Sequence, residues 1–198
     1  DRFVSLIEVS AAARNPDVAP NLHGEGADGI GLDTFLFREE VPFTFPNGCH
    51  AAEVEIDPET GVVALLRYVM VDDYGILVNP LLTEGQVHGG VAQGIGQALM
   101  ENVDYDSESG QLLVGSFMDY TVPRAAHLPG FETHLEGVPT KANALGVKGS
   151  GQAGCIGAPQ TVINAVLDAL APLGIDHIQM PATSETVWRA IQEARARG

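Results

Sequence analysis

Between Pro139 and Pro159 the chain reads Pro-Thr-Lys-Ala-Asn-Ala-Leu-Gly-Val-Lys-Gly-Ser-Gly-Gln-Ala-Gly-Cys-Ile-Gly-Ala-Pro. Gly146, Gly149, Gly151, Gly154 and Gly157 crowd its second half. Glycine loses more conformational freedom on folding than any other residue and offers no side chain to a core. Such a density therefore requires backbone dihedrals closed to other residues, or close approach of the backbone to a ligand. The only two lysines of the chain, Lys141 and Lys148, lie in this stretch. Positive charge and free backbone N–H groups are thus placed together, which suits a phosphate-bearing ligand. A helix is expected at once afterwards, with Pro159 in its first turn and Val162, Val166 and Leu170 at helical spacing. The stretch matches neither common nucleotide fingerprint: it has no Gly-Lys-Ser/Thr ending after the required spacing, and no strand-borne GxGxxG followed by a distant acidic residue.

A second glycine-bearing segment follows Asn79-Pro80, which reads as a helix cap and first turn. The helix is expected to run to about Glu101, with Val87, Val91, Ile95 and Leu99 as its apolar stripe. Gly85, Gly89, Gly90, Gly94 and Gly96 lie inside it, each costing about 1 kcal/mol relative to alanine. Helix packing through small residues accounts for such a load, and so does a cofactor lying against a stripe of Gln86, Gly90, Gln93 and Gln97. His88 falls on a different face from Gln93 and reads as structural.

The 198 residues suffice for one domain, or a domain with a lobe. A formal charge of −16 excludes nucleic acid and anionic membrane surfaces as partners. No apolar run is long enough to span a bilayer. The first residues carry no signal peptide and no initiator methionine, so the chain is expected to be a piece of something longer. Cys49 and Cys155 are in no metal-ligand spacing, and no metal ligand is assigned. They read as two buried free thiols in a reducing, cytoplasmic compartment.

Residues 1–34 read as an irregular segment, after a short helix ending near Arg14, that continues from or packs on another polypeptide. Residues 35–198 read as the folded domain. A short strand is expected over Thr34 to Val41. Cys49 to Ile56 and Val62 to Val71 form a hairpin around Asp57-Pro58-Glu59-Thr60-Gly61. His50 reads as a hydrogen-bonded structural residue rather than a metal ligand. Asp72 and Asp73 point to opposite faces and so cannot share a proton, which leaves turn capping. Further short strands are expected at Gln111 to Gly115, Phe131 to Gly137 and Ile175 to Met180. A last helix is capped by Thr183 or Ser184, with Val187, Ile191 and Ala194 buried.

The run from Asn143 to Gly154, with Ile156-Gly157-Ala158-Pro159 and Asn164 to Leu170, resembles the last sequence block of the molybdenum hydroxylases. These are the large subunits of aldehyde oxidoreductases, carbon monoxide dehydrogenases and xanthine dehydrogenases. Glu84 to Gly96 resembles a second family motif. Cys49 to Gly75 is similar to the family's GxHxAxVxVDPxTG…DxG run, and Asp119-Tyr120-Thr121-Val122-Pro123 to its DYxxP element. The resemblance covers about residues 35 to 195.

The resemblance implies a mixed α/β fold (α+β), with a twisted mixed sheet, a glycine-rich helix and C-terminal helices. It implies molybdopterin, in a dinucleotide form, bound between this chain and the N-terminal half of the large subunit. Iron–sulfur clusters and FAD are then carried by partner subunits. Cofactor-binding positions carried over are Gln86, Gly89, Gly90, Gln93, Lys148, Gly149, Ser150 and Gly151. The implied reaction hydroxylates a small aldehyde or N-heterocycle with oxygen from water. Gln152 stands at the position of the family's catalytic glutamate, and a neutral amide has no proton-accepting state near pH 7. Two rivals remain: a non-catalytic fragment or assembly module of the same family, and a nucleotide-binding domain of another class.

Overall fold

The computed structural model describes residues 3–15, 17 and 42–197. The strand expected at Thr34 to Val41 lies outside the described residues. Two compact units divide the chain, residues 1–42 and 43–198. The first contains helix α1 (Leu6–Ala13), opened by a capping box in which Ser5 and Glu8 satisfy each other's backbone N–H.

The second unit is a three-stranded sheet with helices on one face. Strands β1 (Asn47–Ile56) and β2 (Val63–Asp73) form an antiparallel hairpin, and β3 (Phe131–Leu135) joins β2 in parallel, giving the order β1-β2-β3. Asp57 closes the hairpin turn by accepting from Glu59 N–H and Thr60 Oγ1, and Gly61 supplies φ of +71°. A bulge opposite Glu53 and Val54 inserts one extra residue in β2. Leu65 and Tyr68, three positions apart, are therefore both buried with Met70 and Asp72.

Helix α2 (Pro80–Leu99) is capped by Asn79, whose side chain accepts from Leu82 N–H. Helix α3 (Ala153–Leu170) lies against both α2 and β1. Val87, Val91 and Ile95 of α2 meet Ala158, Val162 and Val166 of α3, all fully buried. Helix α4 (Ser184–Arg197) adds Val187 and Ile191 to the same core. Thr183 accepts from Thr186 N–H at its start. The mixed α/β architecture expected from the sequence is present.

Four local expectations are corrected. Helix α3 starts at Ala153, so Pro159 is inside it and not in its first turn; Gly154 and Gly157 are helical packing residues rather than loop. Gln111 to Gly115 makes only one isolated bridge, Leu112 to Tyr105. Ile175 to Met180 pairs with no strand; Ile175 and Ile178 instead turn inward to the core, and Ala182 N–H bonds the Ala98 carbonyl at the end of α2. Cys49 is exposed, because alternation along β1 sends it to the face opposite His50, and Cys155 is half-buried. Among the described residues, no helix is long and apolar enough to cross a membrane.

Candidate functional site

The glycine loop is held at its base by four groups of contacts. Asn143 bonds both the N–H and the carbonyl of Val147. Gly146, at φ +67°, offers its carbonyl to Ile76 N–H and Thr140 N–H. Gly75, at φ +66°, lies so close to Gly146 that an added Cβ would stand 2.2 Å from that carbonyl oxygen. Lys148 N–H bonds the Tyr74 carbonyl, and its ammonium pairs with Asp73. These contacts join the loop to the end of β2.

Beyond Lys148 the loop has space beside its glycines, and Gly149 N–H donates to Thr44 Oγ1 over 3.3 Å. Cβ atoms at Gly149 and Gly151 would meet nothing within 4 Å. Gln86 Nε2 donates to the Gly151 carbonyl over 2.7 Å, fixing the loop to α2. Gln152 is the N-terminal boundary residue of α3 and makes no side-chain cap. The Gln152 side chain therefore accepts from none of the first-turn N–H groups of α3.

The loop is the wall between two clefts. One, of about 720 Å³, is lined by Gln152, Gly149 and Gly151 with Gly48, His50, Asp72 and Thr161. The other, of about 510 Å³, is lined by Gln86, Lys148, Gly149, Ser150 and Gly151 with the start of α2. Both volumes fall in the range of small-molecule sites, about 300–1,000 Å³.

A buried polar cluster borders the first cleft. His50 Nδ1 is 2.8 Å from Tyr68 Oη, and His50 Nε2 is 3.0 Å from Asp72 Oδ1. Tyr74 Oη donates to Asp72 Oδ2 over 2.7 Å. The His50 and Asp72 side chains are 6% and 4% exposed. Burial raises the Tyr68 phenol well above the ordinary tyrosine range; the Thr161 hydroxyl opposes this and the Asp72 charge adds to it. Tyr74 is raised by burial and then by its bond to Asp72. Glycines let the backbone sit on this cluster. A Cβ at Gly157 would stand 2.8 Å from His50 Nδ1, and one at Gly48 2.0 Å from Asp72 Oδ1.

The structure thus brings Gln86, Lys148, Gly149, Ser150, Gly151 and Gln152 together around one loop. Gln93 is exposed on α2, seven residues, or about 10.5 Å of helix, beyond Gln86. It lines neither cleft. Gly89 is open, whereas Gly90 is buried where α2 meets α3, with a Cβ position 2.9 Å from Cys155 N. Gly94 likewise meets Ala158 and Pro159. Lys148 lines the second cleft, and its ammonium pairs with Asp73. His88 is structural as expected, 2.8 Å from Thr133 Oγ1 and edge-on to Phe131.

Sequence reasoning missed Asp72, Tyr68 and Thr161 as parts of the cleft region. Tyr68, Met70 and Asp72 alternate on one face of β2, a pattern that was available; the approach of Thr161 from α3 was not.

Comparison with known proteins places these features in context. A family model described as the molybdopterin cofactor-binding domain matches residues 5–129. The nicotine 6-hydroxylase large subunit of Paenarthrobacter nicotinovorans is 48% identical over 147 residues, 74% of this chain and 18% of that protein. The carbon monoxide dehydrogenase large chain of Hydrogenophaga pseudoflava is 33% identical over 195 residues, 98% of this chain and 24% of that one. The solved structure of reconstituted carbon monoxide dehydrogenase from Oligotropha carboxidovorans superposes with a TM-score of 0.82 at 32% identity, covering 96% of this chain and 23% of that one. The chain therefore spans less than a quarter of the length of these relatives.

Proposed function

The chain belongs to the molybdopterin cofactor-binding domain family, and from that premise we propose that it forms one wall of the molybdenum-cofactor site of a multi-subunit oxidoreductase. The observation that carries this is the open space beside Gly149 and Gly151 between two clefts, on a loop tied to α2 by Gln86. A pterin with a dinucleotide tail presents polar edges and phosphate oxygens. An uncapped helix start, the Gly151 N–H and side-chain amides match that donor demand without adding negative charge.

Gln86, Gly149, Ser150, Gly151 and Gln152 would hold the group, with Gln93 and Gly89 reaching it from further along α2. Lys148 acts indirectly, by fixing the loop through Asp73. When bound, molybdenum supplies the activated oxygen and accepts the electrons. The protein's residues orient the group and exclude water. The remainder of the site comes from the N-terminal part of a large subunit, which residues 1–34 continue, and electrons leave through iron–sulfur and FAD subunits in the cytoplasm. The substrate class is a small aldehyde or N-heterocycle, in keeping with a relative named for nicotine hydroxylation.

A second reading is favoured by Gln152 itself. Without a carboxylate there, the chain serves the same assembly as a non-catalytic module. Molybdenum and released pterin, measured on the chain purified from its native source with its partners, test the first reading. Near-stoichiometric cofactor supports it; a chain that co-purifies with neither partner nor pterin contradicts it.

A further inference from the structure

The chain carries a formal charge of −16, yet the first cleft offers a ligand little charge. No lysine or arginine lines it, and its one carboxylate, Asp72, has a side chain only 4% exposed. Both oxygens of that carboxylate are engaged inside the protein, Oδ1 by His50 and Oδ2 by Tyr74. Both ring nitrogens of His50 are engaged as well, and the Thr161 hydroxyl donates to the Gly157 carbonyl. Gln152 and Asn47 add uncharged amides, and Cys49 a thiol. The rest of the lining is apolar, and Ile156 is its most exposed large side chain, at 68%. We propose that Ile156 is the specificity-determining contact of this cleft, and that the part of the substrate it receives is an uncharged aromatic ring. This rests on the molybdopterin-site reading given above.

The backbone places Ile156 for this role. It lies one helical turn beyond Gln152, and its N–H bonds the Gln152 carbonyl over 3.0 Å. Residues four apart share a helix face, so a group standing against Gln152 also meets Ile156. Gly157 keeps the same turn of α3 close to β1, since a Cβ there would stand 2.8 Å from His50 Nδ1. The bond from Gly149 N–H to Thr44 Oγ1 holds the segment leading to Pro46 against the glycine loop. Ile156 and Pro46 thus line the cleft from two separate elements. A single exposed isoleucine is ordinary on a protein surface. This one is set apart by its place in a cleft, beside a residue proposed to hold the cofactor.

The chemistry of the lining then selects the occupant. Apolar surface favours a ligand by the apolar area that both remove from water. An ionised group brought to the same surface loses hydration and finds no cation there to replace it, because Lys148 lines the other cleft. The volume of about 720 Å³ holds a bicyclic heteroaromatic with small substituents. Of the two substrate classes named above, the uncharged N-heterocycle is therefore the better match, and Ile156 supplies the face on which its ring lies.

The test uses the complex in which the chain is purified, as wild type, Ile156→Ala, Ile156→Val and Ile156→Lys. Equilibrium dialysis gives Kd for quinoline, and for uncharged pyridine-3-carboxamide against ionised pyridine-3-carboxylate. Quinoline should bind Ile156→Ala about tenfold more weakly than wild type, with Ile156→Val between the two. Wild type should prefer the carboxamide, and Ile156→Lys should move that preference toward the carboxylate by about tenfold, since the ammonium supplies the missing partner. Tm and pterin per chain, measured on the same samples, should stay at wild-type values, because Ile156 is exposed and makes no core contact. Unchanged quinoline affinity in Ile156→Ala, no quinoline binding to the pterin-loaded wild type, or a preference unmoved by Ile156→Lys overturns the proposal. So does a variant that loses its partner chains while keeping its affinity for quinoline, which would make Ile156 a protein contact. A pterin-loaded complex that fails these tests leaves the function proposed above standing; a wild-type complex without pterin overturns that function and the role of Ile156 with it.

Discussion

The ammonium of Lys148 and the carboxylate of Asp73 pair at the foot of the glycine loop, with side chains only 11% and 13% exposed. Asp73 Oδ1 also accepts from Gly75 N–H at 2.8 Å and Val138 N–H at 3.0 Å. One carboxylate thus gathers the end of β2, the segment after β3 and the base of the loop. Lys148, which also lines the second cleft, is thereby tied to that scaffold.

That gathering makes a pH prediction. Lys148, then the Gly75 and Val138 N–H groups, hold the Asp73 carboxyl at about 2, against about 3.9 in an unfolded chain. A lowered folded-state value stabilises the fold above the unfolded value, and the effect disappears as pH falls through the folded one. The difference in Tm between wild type and Asp73→Asn should therefore be full at neutral pH and shrink between about pH 4 and about pH 2. A difference independent of pH would show that the pair contributes nothing through charge.

The glycines of α2 and α3 should separate by what surrounds them. Gly94→Ala places a Cβ 2.6 Å from the Ala158 Cβ, and Gly154→Ala places one 2.5 Å from the Val87 carbonyl oxygen. Each should destabilise by about 1–3 kcal/mol through overpacking. Gly89→Ala meets nothing within 4 Å and should stabilise by about 0.5–1 kcal/mol in denaturant melts. Loss of pterin from a more stable Gly89→Ala chain would place Gly89 against the cofactor.

Much of the fold was legible in the sequence, for identifiable reasons. The hairpin turn, the Asn79 cap and the Val87–Val91–Ile95 stripe are local signals, and each appears in place. The start of α3 was misjudged because Pro159 imitates a first-turn residue, while Gly154 and Gly157 are helical for tertiary reasons: they admit α2 and the His50 ring. The strands expected at Gln111 and Ile175 failed because an apolar run needs a partner edge: the first finds a single bridge, at Leu112, and the second pairs with no strand. Around the clefts, the glycine loop was marked by its own composition, and Gln86, Ser150 and Gln152 by the resemblance. Asp72 and Tyr68 were not, because the hydrogen bonds that define them span 18 to 22 positions of sequence.

Gln86→Ala removes the bond to the Gly151 carbonyl. Since Gln86 is exposed, stability should fall by no more than about 0.5–1.5 kcal/mol, whereas pterin retention should drop because the loop is no longer tied to α2. Retention equal to wild type would remove Gln86 from the site.

Gln152→Glu places a carboxylate beside the first cleft. In the assembled complex the variant should turn over aldehyde or N-heterocycle faster than wild type by about 10²- to 10⁴-fold, the usual contribution of a positioned base. No gain with any such substrate, at full cofactor content, would remove Gln152 from the base position.

The most direct measurement is the pterin content of the assembled complex carrying Gly151→Val. This position is open, with no neighbour within 4 Å of a Cβ, so the fold should tolerate the side chain and Tm should remain near wild type. The isopropyl group would occupy the space in which the cofactor is proposed to lie. Pterin per chain is expected to fall at least about tenfold, the equivalent of about 1.4 kcal/mol of binding. Wild-type pterin content in a folded Gly151→Val complex would contradict the account, because the glycine loop would then not be the cofactor's wall.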